Sequence, residues 1–293
     1  MTIALDKTIP HPDFLIIGTQ KGGTTWLRRM LIAHPEVYIP PYPEEVHFFN
    51  RAIEQPDLYF ALFNIQEAKG KLLGEKSPNY FHMPENAIRF IKTILPDIKL
   101  VVILRNPVER AWSQARMHSS EFNQKELGKK DLLKLVLQVA SRGNFERTNY
   151  AKVLQKWLRY FDAKQLLVYY YDDLQADPQQ FLNQVCDDLQ VKHFTPKELQ
   201  KRVHVSKSLQ MPSALRWFLN WRYRNIPAQL NQLGLQAPSA WSKQASLIPF
   251  FQKIVILVLF FPYHLVTSLG YQFYKLQANR KLKVPKIVYS GSR

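Results

Sequence analysis

Residues 16–31 read IIGTQKGGTTWLRRML. An apolar run, DFLIIG at 13–18, ends in glycine and reads as a buried strand. A short polar turn follows. TTWLRRMLIAHP (24–35) then reads as a helix, with Thr24 near its start and Pro35 beyond its end. Strand, glycine-rich turn and helix make the layout that cradles phosphate. In it the backbone N–H groups of Gly22 to Thr25 point at an anion, helped by the helix N-terminus and the Thr24 and Thr25 hydroxyls. Gly18 and Gly23 have the spacing of a Walker A loop, but Thr24 stands where its lysine belongs. The lysine has moved forward to Lys21, ahead of the glycine pair. From there it would reach the bridging or outer oxygens of the bound group.

The pattern around this unit predicts an α/β fold. KLLGEK (71–76) is a second strand, and PENAIRFIKTIL (84–95) is a helix opened by Pro84. IKLVVILR (98–105) is apolar on both faces, as a strand in the middle of a parallel sheet is. Asn106-Pro107 caps and starts a helix reaching about Ser120. NYAKVLQKWLRYF (149–161) is amphipathic, QLLVYYYDDL (165–174) reads as a further strand, and DPQQFLNQVCDDLQ (177–190) as a further helix. This alternation argues for a doubly wound, P-loop-like, mostly parallel sheet flanked by helices. After about residue 205 the chain turns helical, aromatic and basic. The expected division is a core over 1–205 and a helical C-terminal extension over 206–293.

The 293 residues suffice for one such domain with an elaboration. A hydrophobic content of 46% and a charged content of 22% exclude a disordered chain. The formal net charge of +17 points to an anionic partner: a nucleotide, a polyanionic chain or an acidic membrane. A single cysteine, Cys186, allows no internal disulfide and fits a reducing compartment. The eight histidines form no HExxH and no Cys/His pair at metal spacing, so no metal site is expected. MTIALDKTIPHPDF lacks the apolar run of a signal peptide, which suggests a cytoplasmic protein. The strand at 98–104 ends in Arg105 rather than in the aspartate that would hold magnesium for a kinase. Arginine there suits a second phosphate, so the site reads as built for a nucleotide with two anionic ends and no metal.

Four segments in order, PDFLIIGTQKGGTTWL, EEVHFFN, EKSPNYF and IKLVVILRNPVERAWSQ, resemble the PAPS-dependent sulfotransferases. Within them the chain is similar to the heparan sulfate (glycosaminoglycan) branch, as a bacterial-type member. PAPS is 3′-phosphoadenosine 5′-phosphosulfate, released as adenosine 3′,5′-bisphosphate, and the likeness covers about residues 12–190. The resemblance implies that Lys21, Gly22, Gly23, Thr24, Thr25 and Trp26 bind the 5′-phosphosulfate. Arg105 and Ser113 would bind the 3′-phosphate. Glu45 falls at the general base of the branch's KExHFF pattern, with His47 beside it, and Lys76 at a lysine near the acceptor. One lysine ahead of the glycines would then sit on the bridging oxygen and stabilise the charge of the departing phosphate without magnesium. The chain departs from the branch in having Glu44 where a lysine often precedes the base, leaving two adjacent glutamates. It also lacks the disulfide and the KGR loop of extracellular members. HVSKSLQ (204–210) stands in that neighbourhood, where Ser206 and Lys207 would close over the nucleotide.

KIVILVLFFPYHLVTSLGY (253–271) is the most hydrophobic stretch, shorter than the roughly 20 apolar residues of a membrane span. LRWFLNWRYR (215–224) before it and YKLQANRKLKVPK after it are basic and, upstream, aromatic. The segment 246–286 therefore reads either as an interfacial anchor on anionic lipid or as a buried helix completing the core. The expected function is sulfuryl transfer from PAPS to a hydroxyl or amine of a carbohydrate, glycolipid or other lipid-linked acceptor, with no nucleic acid involved. A P-loop kinase and a non-catalytic polyanion or membrane binder are the alternatives.

Overall fold

The computed structural model describes residues 11–41, 43–51, 56–63, 65–123, 132–201 and 210–242. Five strands, β1 (Phe14–Gly18), β2 (Val37–Tyr38), β3 (Leu72–Lys76), β4 (Lys99–Leu104) and β5 (Leu166–Tyr170), form one sheet in the order β2-β3-β1-β4-β5. Every pairing is parallel.

The continuous apolar runs of β1 and β4 follow from helices on both sheet faces. Leu15, Ile17, Leu100, Val102 and Leu104 pack under the helices Glu85–Ile94, Pro107–Asn123 and Tyr150–Leu158. Phe14, Ile16, Val101 and Ile103 face the opposite way, toward Thr24–Ile32 and Pro178–Leu189. Leu100 to Leu104 are all fully buried. Each contributes about 1.5–3 kcal/mol, which makes β4 the spine of the domain.

β1 lies between β3 and β4. The chain leaves β1 toward β2 and β3 and then crosses to β4 and β5, so the carboxyl ends of β1 and β4 flank the switch point where such sheets bind ligands. The register sets Ile16 level with Lys76, and Leu104 level with Tyr170. The residues following these strand ends are thereby delivered to one edge of the sheet.

Two elements differ from the sequence reading. β2 is only two residues long and carries no period to detect. QLLVYYYDDL is not one strand: β5 stops at Tyr170 and a helix runs from Tyr171 to Ala176. Asp172 and Asp173 lie in its first turn, where the helix dipole favours negative charge.

The described part of the C-terminal extension completes the core. Leu215, Phe218, Leu219 and Tyr223 of the Ser213–Tyr223 helix are buried with the first sheet face. Trp241 donates its indole N–H to the Asp172 carboxylate at 3.1 Å. Ser206, Lys207 and the stretch 246–286 lie outside the described residues. Among the described residues no helix is long and apolar enough to cross a membrane.

Candidate functional site

The turn after β1 is tied down before it can bind anything. Thr19 donates from both its N–H (3.1 Å) and its hydroxyl (2.9 Å) to the Ile103 carbonyl of β4. Gly22 passes so close to β4 that a Cβ there would overlap the Ile103 carbonyl oxygen. Lys21 and Gly23 turn the chain with positive φ, 68° and 96°. A lysine in the left-handed region is held there only by its surroundings.

The Gly22 N–H donates to the Thr19 carbonyl at 3.0 Å, so it closes the turn instead of facing an anion. The first helical bond runs from Leu27 N–H to the Gly23 carbonyl at 3.1 Å. The N–H groups of Thr24, Thr25 and Trp26 precede it at the open first turn, the end of a helix where an anion is favoured. Trp26 brings its backbone there but not its side chain. Its indole donates to the Leu199 carbonyl at 3.1 Å, and its ring meets Phe181 edge-on.

Arg105, just past β4, turns back over this loop. Its Nη1 donates to the Lys21 carbonyl at 3.1 Å, and its guanidinium lies 4.6 Å from the centre of the Tyr171 ring. The Tyr150 hydroxyl donates to the Arg105 carbonyl at 2.7 Å. Arg105 therefore lies against the backbone of the loop that carries Lys21. Ser113 is buried on the Pro107–Asn123 helix, one turn beyond Arg110. The next residue, Gln114, donates to Gln20 Oε1 at 3.0 Å, so this face of the helix looks at the loop.

Sequence reasoning missed a polar network beneath that loop. Gln20 Oε1 also accepts from Arg147 Nη1 at 3.1 Å, and Gln20 Nε2 donates to Asn79 Oδ1 at 2.5 Å. Buried Arg110 donates to Gln114 Oε1 at 2.5 Å, to the Asn144 side chain and carbonyl, and to the Thr148 hydroxyl. None of these partners is a carboxylate. Burial pushes the Arg110 guanidinium down, with Arg147 and Arg105 adding like-charge repulsion. Desolvation, then Arg147, Arg110 and Lys156, push the His82 imidazole well below its ordinary value. This surplus of positive charge is suited to an anion. The only sequence signals for it were the i, i+3, i+4 spacing of Arg110, Ser113 and Gln114 and the place of Gln20 beside Lys21. Tyr171 was hidden by the strand assigned to its segment.

The remaining candidates meet on the other side of the loop. Lys76 Nζ, at the end of β3, lies 2.7 Å from Glu45 Oε1, 3.4 Å from Glu44 Oε1 and 3.4 Å from Thr25 Oγ1. His47 Nε2 sits 2.8 Å from Glu45 Oε2. Both oxygens of Glu45 are thus engaged. The Glu44 carboxylate makes the longer contact to Lys76 and is 53% exposed, against 33% for Glu45. The segment carrying them is anchored at both ends. Arg28 donates to the Pro40 and Pro41 carbonyls at 2.8 and 3.0 Å, and Ser77 Oγ accepts the His47 N–H at 2.9 Å. His47 itself has φ 53°. Through Thr25 and Lys76 the two groups of candidate residues touch.

A separate cavity of about 600 Å³ opens near His11, Asp13, Leu72, Pro96, Lys99 and Leu189. No candidate residue lines it, and its position at the amino ends of the strands sets it apart from this chemistry.

The family model described as Sulfotransferase domain matches residues 11–214 of the chain. Heparan sulfate glucosamine 3-O-sulfotransferase 3B1 of Mus musculus is 32% identical over 194 residues, which are 62% of this chain and 47% of that protein. Bifunctional heparan sulfate N-deacetylase/N-sulfotransferase 4 of Mus musculus is 34% identical over 204 residues, 61% of this chain and 22% of that protein. The chain thus spans about half the length, or less, of these relatives. A solved sulfotransferase from Alicyclobacillus acidocaldarius superposes with a TM-score of 0.64 at 28% identity, covering 80% of this chain and 100% of that one.

Proposed function

Because this chain belongs to the sulfotransferase domain family, we propose that it transfers a sulfuryl group from PAPS to a hydroxyl or amine of a carbohydrate-bearing or lipid-linked acceptor. Adenosine 3′,5′-bisphosphate is the second product. The observation that carries this reading is the hydrogen bond from Arg105 to the Lys21 carbonyl. It lays the arginine that follows β4 against the loop that carries Lys21, which supports a single nucleotide with anionic groups at both ends as the ligand.

The donor set fits such a molecule. Gly22 and Gly23 keep the loop low enough for the open first turn of the Thr24–Ile32 helix to meet a 5′-phosphate. Arg105 against the loop, and Ser113 on the helix face that looks at it, support a 3′-phosphate site beside the Arg110 and Arg147 network, whose hydrogen-bond partners include no carboxylate. Bound there, PAPS supplies the sulfuryl group and a phosphate leaving group. Lys21 stabilises the charge that gathers on the departing oxygen, as preorganised cations do in phosphoryl transfer. Glu45 accepts the proton from the acceptor, a contribution of about 10²–10⁴-fold for a well-placed base. Lys76 and His47 fix its two oxygens, one each, so the carboxylate is aimed before the acceptor arrives.

The acceptor class rests on the relatives, whose names divide between O- and N-sulfation of heparan sulfate. The test is transfer of radiolabelled sulfate from PAPS into a cell lysate, with products separated into glycan, lipid and small-molecule fractions. Label in the glycan or lipid fraction, abolished by Glu45→Gln, is the expected result. Label confined to small molecules would overturn the acceptor assignment, and no transfer at all would overturn the activity.

A further inference from the structure

One buried acid lies next to the site and takes no part in the chemistry just described. Side chains alternate along β3: Lys76 faces Thr25 and Glu45, while Glu75 faces the opposite core. Glu75 is fully buried. Its oxygens face the Tyr59, Tyr80 and Ser77 hydroxyls without closing a well-formed bond to any of them, and Tyr59 Oη is in the same state. Burial pushes the Glu75 carboxyl up, and pushes both tyrosines well above their ordinary value. A leucine of similar size would fill this space without the two unpaired carboxyl oxygens.

The same hydroxyls hold the segment that carries Glu45. Ser77 Oγ accepts the His47 N–H at 2.9 Å, and Tyr80 Oη accepts the Phe49 N–H at 3.4 Å. The Phe49 ring packs 4.7 Å from Tyr59 and 5.3 Å from Tyr80, and the Phe48 ring 5.0 Å from Tyr59. Rings grip the two phenylalanines while their hydroxyls gather at Glu75. Between these grips, His47 keeps a left-handed backbone that only an over-determined setting maintains.

We propose that Glu75 is a positioning residue. With Ser77, Tyr59 and Tyr80 it forms a polar seat that fixes the backbone of His47 and Phe49, and through it the Glu45 carboxylate against Lys76. This rests on the reading of Glu45 as the base. In the seat the Glu75 oxygens face the Ser77 and Tyr80 O–H groups and draw them inward, which leaves the hydroxyl lone pairs to receive the two N–H groups. A glutamine keeps an oxygen for this role and a leucine has none.

The test uses the full chain and three variants, Glu75→Leu, Glu75→Gln and Ser77→Ala. Hydrogen exchange at the His47 and Phe49 amides is read without nucleotide, then kcat and KM for PAPS. In Glu75→Leu those two amides should exchange about tenfold faster while β4 keeps its protection. Its kcat should fall about tenfold or more, with KM for PAPS held within about twofold. Its melting temperature should not drop, because an apolar side chain replaces an unsatisfied one. Glu75→Gln should retain parental exchange and kcat. Parental exchange or parental kcat in Glu75→Leu overturns the proposal, as does loss of protection in β4 along with the two amides. Should the leucine variant not fold, Ser77→Ala carries the same expectation, and unchanged exchange at His47 overturns it. If the parent moves no sulfate yet its two amides lose protection in the variants, the transferase reading fails and the seat stands.

Discussion

The two halves of the site are built on different principles. The donor half, from Gly18 to Thr25 with Arg105, is mostly backbone: a turn stitched to β4 through Thr19 and a helix N-terminus, with cations at two strand tips. The acceptor half, from Glu44 to His47 with Lys76, is mostly side chain: a segment without a strand or long helix of its own, held by Arg28, Ser77 and Tyr80 from elsewhere in the chain. The first geometry is dictated by neighbours in sequence and the second by neighbours in space. A side-chain site can change its acceptor without disturbing the donor.

If this division is real, each half can be broken alone. The largest effect is expected from Glu45→Gln, which should lower kcat by about 10²–10⁴-fold and leave affinity for adenosine 3′,5′-bisphosphate unchanged. Steady-state kinetics beside calorimetry check it, and a matching loss of nucleotide affinity would join the halves. Gly22→Ala should do the reverse. With the Ile103 carbonyl in the way, the loop must move, costing about 1–3 kcal/mol of stability and most of the nucleotide affinity. Thermal melts with and without nucleotide read both effects.

Lys76→Met sharpens the comparison, because Lys76 touches Thr25 and Glu45 together. Its kcat should fall about tenfold, with a smaller loss of nucleotide affinity, since the residue fixes the base more than the phosphate. Equal losses would put Lys76 in the donor half. The smallest effect is far from both. Burial, with Asp187 and Glu36 nearby, pushes the Cys186 thiol up to about 11. Below that pH it stays protonated, so the folded chain should resist a thiol reagent at pH 8 and react only when denatured. Reaction at the rate of a free cysteine would show that the core beneath the Pro178–Leu189 helix opens readily.

The same division explains what was legible in the sequence. β1 and β4 announce themselves because they are covered on both faces and so are apolar without interruption. The loop is readable because its glycines, lysine and threonines are contiguous. The positions of Glu45, His47 and Lys76 came from a motif, and their mutual contact is a product of folding. β2 is too short to show a period, and the helix at Tyr171 was concealed by three tyrosines that favour strands. Arg110, Gln114, Gln20 and Arg147 are brought together only by packing of the Pro107–Asn123 and Arg142–Thr148 helices against the loop. Glu75 is an ordinary strand residue by pattern, and only its burial marks it out.

The central claim is that Lys21 and Arg105 hold opposite ends of one nucleotide. Calorimetric titration of the parent and of Arg105→Ala with adenosine 3′,5′-bisphosphate and with adenosine 5′-monophosphate tests it most directly. The parent should prefer the bisphosphate by about 10–100-fold, the worth of a charge-assisted contact, and the preference should vanish in the variant. Equal affinity for the two ligands in the parent, or a preference that survives in Arg105→Ala, would contradict the account.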